Sequence, residues 1–209
     1  MTPFTVVTGS AAPLMLNNVD TDVILRIERL TSTPADGLGP YALEALRFHP
    51  DGTEVDDFVL NRQAFRGAPI LLAGANFGCG SSREGAVWAL QALGIRCIIA
   101  VSYGDIFYGN CFQNGVLPVR LPAEQIEALA DLSTTGASFT VDLMRNTITA
   151  PDSSTWPFTI QPLLRETLLE GLDQIGLTLK QADAIDAWEQ AETAARPWTM
   201  RPGIGDGMA

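Results

Sequence analysis

The densest chemistry in the chain lies in one run, Gly74-Ala75-Asn76-Phe77-Gly78-Cys79-Gly80-Ser81-Ser82-Arg83-Glu84, which follows an apolar stretch and precedes a helical one. A strand-to-helix junction of this kind receives anions. The first-turn N–H groups of a helix have no partners within it, and Gly78 and Gly80 allow a ligand to approach the backbone closely. Ser81 with Glu84 three residues later fits a capping box, which predicts a helix start at Ser81. Arg83 then stands at the positive end of the helix dipole, a conflict that a bound carboxylate would remove.

Two phosphate-binding readings of this run fail. A dinucleotide fingerprint needs glycine where Arg83 stands, and a P-loop needs a lysine, whereas Lys180 is the only lysine in the sequence. A plainer alternative stays open on these residues alone: Ser81 only caps a helix, and Arg83 only pairs with an acid in a solvated first turn.

The elements that must hold this run are legible from periodicity and turn residues. Residues 4–16 read as a strand, a turn at 9–12 and a second strand, leading to the polar segment Asn17-Asn18-Val19-Asp20-Thr21-Asp22. Residues 31–40, rich in Thr, Pro and Gly, read as a mobile loop. Strands at 68–73, 95–101 and 116–121 alternate with helices at 81–93 and 103–114, the pattern of parallel β-α-β units. Pro122 opens a further helix. Residues 138–143, 146–150 and 156–160 alternate apolar and polar positions as a small antiparallel set, and helices at 163–172 and 182–195 come after it. The Pro- and Gly-containing tail 196–209 reads as flexible or docked on a partner.

Composition narrows the function. The 209 residues, 46% hydrophobic, suit one domain, and a net charge of −11 without a Lys/Arg stripe excludes nucleic acid as a partner. No apolar run is long enough to span a bilayer, and the N-terminus lacks the pattern of a secretory signal, so a cytoplasmic protein with no membrane partner is expected. Cys79, Cys97 and Cys111 are too irregularly spaced for a disulfide framework or a metal-ligand set. No metal is therefore expected in this chain. The single histidine, His49, sits in a polar turn and reads as a surface residue.

The run 76–84, with Trp88-Ala89-Leu90 one turn on, resembles the signature of the swivelling domain of the aconitase superfamily in its isopropylmalate dehydratase branch. Asn18-Val19-Asp20-Thr21-Asp22, Asp105-Ile106-Phe107-Tyr108-Gly109-Asn110 and residues 171–179 agree with it in order and spacing. The resemblance covers about 17–189. It implies an α/β fold, a three-layer β/β/α swivelling domain over 1–195 that ends in a helical extension, with the flexible tail beyond it.

The function implied is that of an iron-free small subunit, active only with a large subunit that carries a [4Fe–4S] cluster, as a heterodimer or heterotetramer. The complex would isomerise 2-isopropylmalate to 3-isopropylmalate by dehydration and rehydration in leucine biosynthesis, a hydro-lyase acting on a hydroxy-dicarboxylate. Carried over by residue, Ser81 is the base for the carbon-bound proton, Ser82 and the Gly80 backbone meet the substrate, and Arg83 clamps a carboxylate. Asp20, Thr21 and Asp22 would hold Arg83 or the serines in place; an Asx-turn with a helix cap is the equal alternative for these three.

Departures from the pattern bear on substrate. Arg26 replaces a usual proline, Gly85-Ala86-Val87 replaces histidine-alanine-proline, and the loop 31–37 lacks the arginine that many members present to substrate. Arg26 or Arg29 is expected to substitute for it. The alternatives are a paralogous subunit for another substituted malate, such as a methylmalate, dimethylmalate, citrate-like or homocitrate-like acid, and a non-catalytic anion-binding protein of the same fold.

Overall fold

A computed structural model of the chain describes residues 1–199. The described residues divide into two compact units, Met1–Leu172 and a second beginning at Asp173. The first is built on a seven-stranded sheet of order β4-β3-β2-β1-β5-β6-β7. Strands β1 (Val6–Leu14), β2 (Ile70–Ala73), β3 (Cys97–Ala100) and β4 (Leu117–Arg120) run parallel. The other half, β5 (Ser138–Asp142), β6 (Thr147–Thr149) and β7 (Thr155–Pro157), is antiparallel and joins through β1.

Alternation along the central strands produces the layers. Ile70, Leu72, Cys97 and Ile99 face one core shared with Phe139, Val141 and Ile148 of the antiparallel half and with Ile126 and Leu129 of helix α6 (Ala123–Ser133). Leu71, Ala73, Ile98 and Ala100 face the other core, closed by Val87 and Leu90 of α4 (Gly85–Ala92) and by Phe107 and Cys111 of α5 (Asp105–Gln113). Two β layers and a helical layer result, as the expected swivelling domain requires. Helix α7 (Pro162–Glu170) ends this unit.

Three local expectations need correction. Residues 6–14 form one strand rather than two, because Gly9 makes room and not a turn: a Cβ there would lie 2.6 Å from the Pro69 ring. The first half of β1 pairs with β5 and the second with β2.

Residues 31–40 are not an open loop. Helix α1 (Thr21–Ile24) is followed by α2 (Ile27–Ser32), by short 3-10 turns at Ala35–Gly37 and Gly39–Tyr41, and by α3 (Glu44–Arg47). Leu38 and Ala42 are buried against Leu25 and Ala89. The buried Arg47 guanidinium donates to the carbonyls of Gly39, Pro40 and Ala42, and so satisfies backbone that no ladder reaches.

The third correction concerns α4, which begins at Gly85 and not at Ser81. In the second unit, α8 (Gln174–Leu179) is capped by the Asp173 carboxylate and α9 (Ala182–Ala195) has the bounds expected. The tail expected over 196–209 falls mostly on residues 200–209, outside the described residues.

Candidate active site

The run 74–84 leaves the carboxyl end of β2, between the segments that leave β1 and β3. It is stitched to both by backbone hydrogen bonds. Gly78 N–H donates to Val19 at 2.7 Å and Thr21 N–H to Cys79 at 2.8 Å on one side; Phe77 N–H donates to Ser102 and Gly104 N–H to Phe77, both at 3.0 Å, on the other. Short parallel bridges Asp20 to Cys79 and Phe77 to Tyr103 thus extend the sheet order above the strands. Crevices outside the carboxyl ends of parallel strands are where such sheets bind ligands.

Side chains lock the base of the loop. Asn17 accepts from Ala75 N–H at 2.7 Å, Asn76 donates to Asn18 at 2.9 Å, and Asn76 N–H donates to the Ser102 hydroxyl at 2.8 Å. Gly78 has φ +69°, and any Cβ there would overlap the ring of Phe107. Phe107, the central aromatic of the 105–110 segment, is therefore the floor of the loop. Sequence reasoning read Gly78 as room for a ligand and matched the 105–110 segment to the family without finding this role; the space beside Gly78 is filled by Phe107.

Ser81 stands at the end of this frame with two partners on its hydroxyl. Arg83 Nε donates to Ser81 Oγ at 2.8 Å, and the Thr21 hydroxyl lies 3.0 Å from the same oxygen. The Ser81 N–H donates to Thr21 Oγ1 at 3.1 Å. Thr21 itself is 2% exposed, so its hydroxyl must find its partners within the protein, whereas Ser81 and Ser82 are exposed.

These contacts explain the late start of α4. The Ser81 N–H that a helix would leave for capping is taken by Thr21, and Ser81 Oγ faces Arg83, so no capping box forms; Glu84, with no side-chain cap bond, is the residue before the helix.

Arg83 is held from two directions. Its Nη2 donates to Asp22 at 2.5 Å while Nε holds Ser81, and Nη1 is buried without a hydrogen-bond partner. The expected conflict between Arg83 and the helix dipole is thus answered in the free chain by Asp22, whose side chain is 64% exposed. The buried, unpartnered Nη1 carries a cost of about 1–3 kcal/mol. Asp20 accepts from Val23 N–H at 2.7 Å and caps α1, which carries Thr21 and Asp22 to the loop.

The structure brings Ser81, Ser82, Arg83, Gly80, Thr21 and Asp22 together around the loop. Arg26 has its ionic partner elsewhere: it lies 3.7 Å from the Glu44 carboxylate, which Arg29 also grips, at 2.9–3.2 Å. Arg26, Arg29 and Glu44 line a cleft of about 720 Å³ with Tyr41, Phe48 and the exposed His49. Leu30, which sequence reasoning passed over, packs on Gly85 so closely that a Cβ on residue 85 would overlap it. A helix-entry glycine beside the loop was its only signal.

The cysteines do not fit an iron–sulfur cluster. Burial pushes the Cys97 and Cys111 thiols up, the reverse of what a thiolate ligand needs, and Cys79 alone is partly exposed. Among the described residues no group of three His, Cys, Asp or Glu is placed to hold a metal ion, and no helix is long and apolar enough to cross a membrane.

Known proteins share this architecture. The family model of the aconitase C-terminal domain matches residues 1–124, and that of the C-terminal domain of 3-isopropylmalate dehydratase small subunits matches 175–201. The 3-isopropylmalate dehydratase small subunits of Roseobacter denitrificans and Paramagnetospirillum magneticum are each 50% identical over 200 residues, covering 95% of this chain and 100% of theirs. The crystal structure of 3-isopropylmalate dehydratase (leuD) from Methanocaldococcus jannaschii superposes with TM-score 0.64 at 27% identity, over 88% of this chain and 99% of that one.

Proposed function

Because the chain belongs to the family of 3-isopropylmalate dehydratase small subunits, we propose that it is the proton-transfer half of a cytoplasmic hydro-lyase that converts 2-isopropylmalate to 3-isopropylmalate. Its partner is a large subunit, to which we assign the [4Fe–4S] cluster. The cluster supplies a Lewis acid for the leaving hydroxyl. Moving the proton falls to residues of this chain.

The observation that carries the reading is the pair of groups on Ser81 Oγ. A serine hydroxyl is too weak an acid to ionise in water, so a base made from it needs charge and donors fixed beforehand. Arg83 Nε already donates to that oxygen, and Thr21 can turn its hydroxyl proton toward it. The alkoxide of Ser81 takes the proton from the substrate carbon adjacent to the one losing hydroxyl, and returns it when water adds back in the other orientation. Helix capping alone needs neither Arg83 nor Thr21.

A substrate carboxylate that displaces Asp22 gains the Nη1–Nη2 edge of Arg83 and supplies the missing partner of Nη1. Ser82, exposed beside Ser81, and the Gly80 backbone complete the contact with substrate.

A second reading, another substituted malate as substrate, is favoured by two observations: residues 31–37 include no arginine, and Arg26 and Arg29 both engage Glu44. Relative kcat/KM on 2-isopropylmalate, citramalate, 2,3-dimethylmalate and homocitrate decides between them.

The test of the proton-transfer role is Ser81→Ala in the assembled enzyme. Turnover should fall by roughly 10²–10⁴-fold with assembly retained. Near-normal kcat would leave Ser81 a structural role only.

A further inference from the structure

The unit that begins at Asp173 carries apolar side chains in the open. Neither α8 nor α9 has a buried residue. On α8, Ile175 and Leu179 are 69% and 62% exposed and stand one turn apart on the same face. On α9, Ile185 and Trp188 repeat the arrangement at three residues' spacing, with Trp188 61% exposed, and Trp198 just beyond the helix is 77% exposed. Helices of six and fourteen residues gain little stability on their own in water, so burying these faces would stabilise them. Tryptophan, isoleucine and leucine clustered at helical spacing are also the side chains that fill pockets on a partner.

Charge selects the occupant. On the Ile185 side of that face α9 carries Asp186 and Glu189, and the whole chain has a net charge of −11. A second copy would bring acid against acid, and nucleic acid would be repelled. A protein groove with an apolar floor and a Lys/Arg rim fits both features. The same stretch, 175–201, is matched by the model of a domain named for the small subunit, so it accompanies the subunit that needs a large partner.

We propose that α8 and α9 are the docking element for the large subunit. The Ile175–Leu179 and Ile185–Trp188 pairs enter an apolar groove, and Asp186 and Glu189 face basic residues on its rim. This rests on the small-subunit reading above, and assigns partner capture to a different part of the chain from proton transfer.

The test uses the full chain and its cluster-loaded large subunit, with Kd measured by calorimetry and kcat measured at saturating small subunit. Trp188→Asp should weaken binding roughly 30-fold or more, the scale of an interface tryptophan. Ile175→Asp should do the same from the other helix, and Asp186→Lys with Glu189→Lys should weaken binding and flatten its salt dependence. Helix content by circular dichroism should be unchanged in each variant, and kcat at saturation should equal wild type. Wild-type Kd in both apolar variants overturns the proposal while the small-subunit reading stands. A wild-type chain that neither binds nor activates the large subunit overturns both. A free chain that is dimeric, and made monomeric by Trp188→Asp, overturns it in favour of a second copy.

Discussion

The hydroxyls of Thr21 and Ser81, sixty residues apart in the chain, lie 3.0 Å from each other, and the Ser81 N–H donates to the same Thr21 oxygen. Thr21 therefore fixes Ser81 through both backbone and side chain. Thr21→Val keeps the volume and deletes both bonds, while Thr21→Ser keeps them. A hydrogen bond to a charged oxygen contributes about 1.5–3 kcal/mol, so Thr21→Val should lower kcat by roughly 10–150-fold, with KM little changed, and Thr21→Ser should restore most of it. Equal kcat in the two variants would remove Thr21 from the proton-transfer step.

Arg83 holds Ser81 with Nε and Asp22 with Nη2 at once, which a lysine ammonium on a flexible stem cannot reproduce. Arg83→Lys should lower kcat/KM by about tenfold or more despite the retained charge. Asp22→Asn should act differently. It weakens the internal competitor for the guanidinium, so KM should fall or hold steady rather than rise. A clear rise in KM would make Asp22 a substrate contact in its own right.

The fold was legible where alternation and length are local properties. β2, β3, β4, α5, α6 and α9 sit within a few residues of the spans predicted, because their apolar positions repeat at the period of the element. It was not legible where a distant residue decides. Gly9 reads as a turn until Pro69 is seen against it, and the Ser81–Glu84 spacing reads as a capping box until Thr21 takes the Ser81 N–H. The arginine pattern at 26 and 29 shows the same limit. Sequence offers both as anion contacts and does not show that Glu44, fifteen residues beyond Arg29, lies beside them.

Cysteine chemistry is set by burial. Cys97 and Cys111 are fully buried with their thiols pushed up, while Cys79 lies in the partly open loop. Mass spectrometry after brief alkylation at neutral pH should find one adduct per native chain, on Cys79, and three in denaturant. An adduct on Cys111 in the native chain would mean that the core under α5 opens on the labelling timescale, and one on Cys97 that the core under α6 does.

Leu30 and Gly85 should be energetically coupled. Glycine in a helix ordinarily costs up to about 1 kcal/mol relative to alanine, so Gly85→Ala at the start of α4 would be expected to stabilise. Here the added methyl would overlap Cδ2 of Leu30, and its Cγ and Cδ1 crowd the same space, so the whole isobutyl group must shift. Overpacking of that kind costs about 1–3 kcal/mol, which outweighs the propensity gain and makes Gly85→Ala destabilising. With Leu30→Ala the obstacle is gone, and the same Gly85→Ala change should recover its ordinary sign and stabilise that background by roughly 1 kcal/mol. Urea denaturation of the wild type, both single variants and the double variant closes the cycle, and a coupling of about 2–3 kcal/mol is expected. Additive effects within about 0.5 kcal/mol would show that Leu30 does not occupy the space above Gly85. The cycle also bears on specificity, since α2 carries Leu30 to the first turn of α4, one residue beyond the Ser81–Glu84 stretch. A variant that displaces Leu30 should therefore change the relative kcat/KM for substituted malates before it changes the proton-transfer step itself.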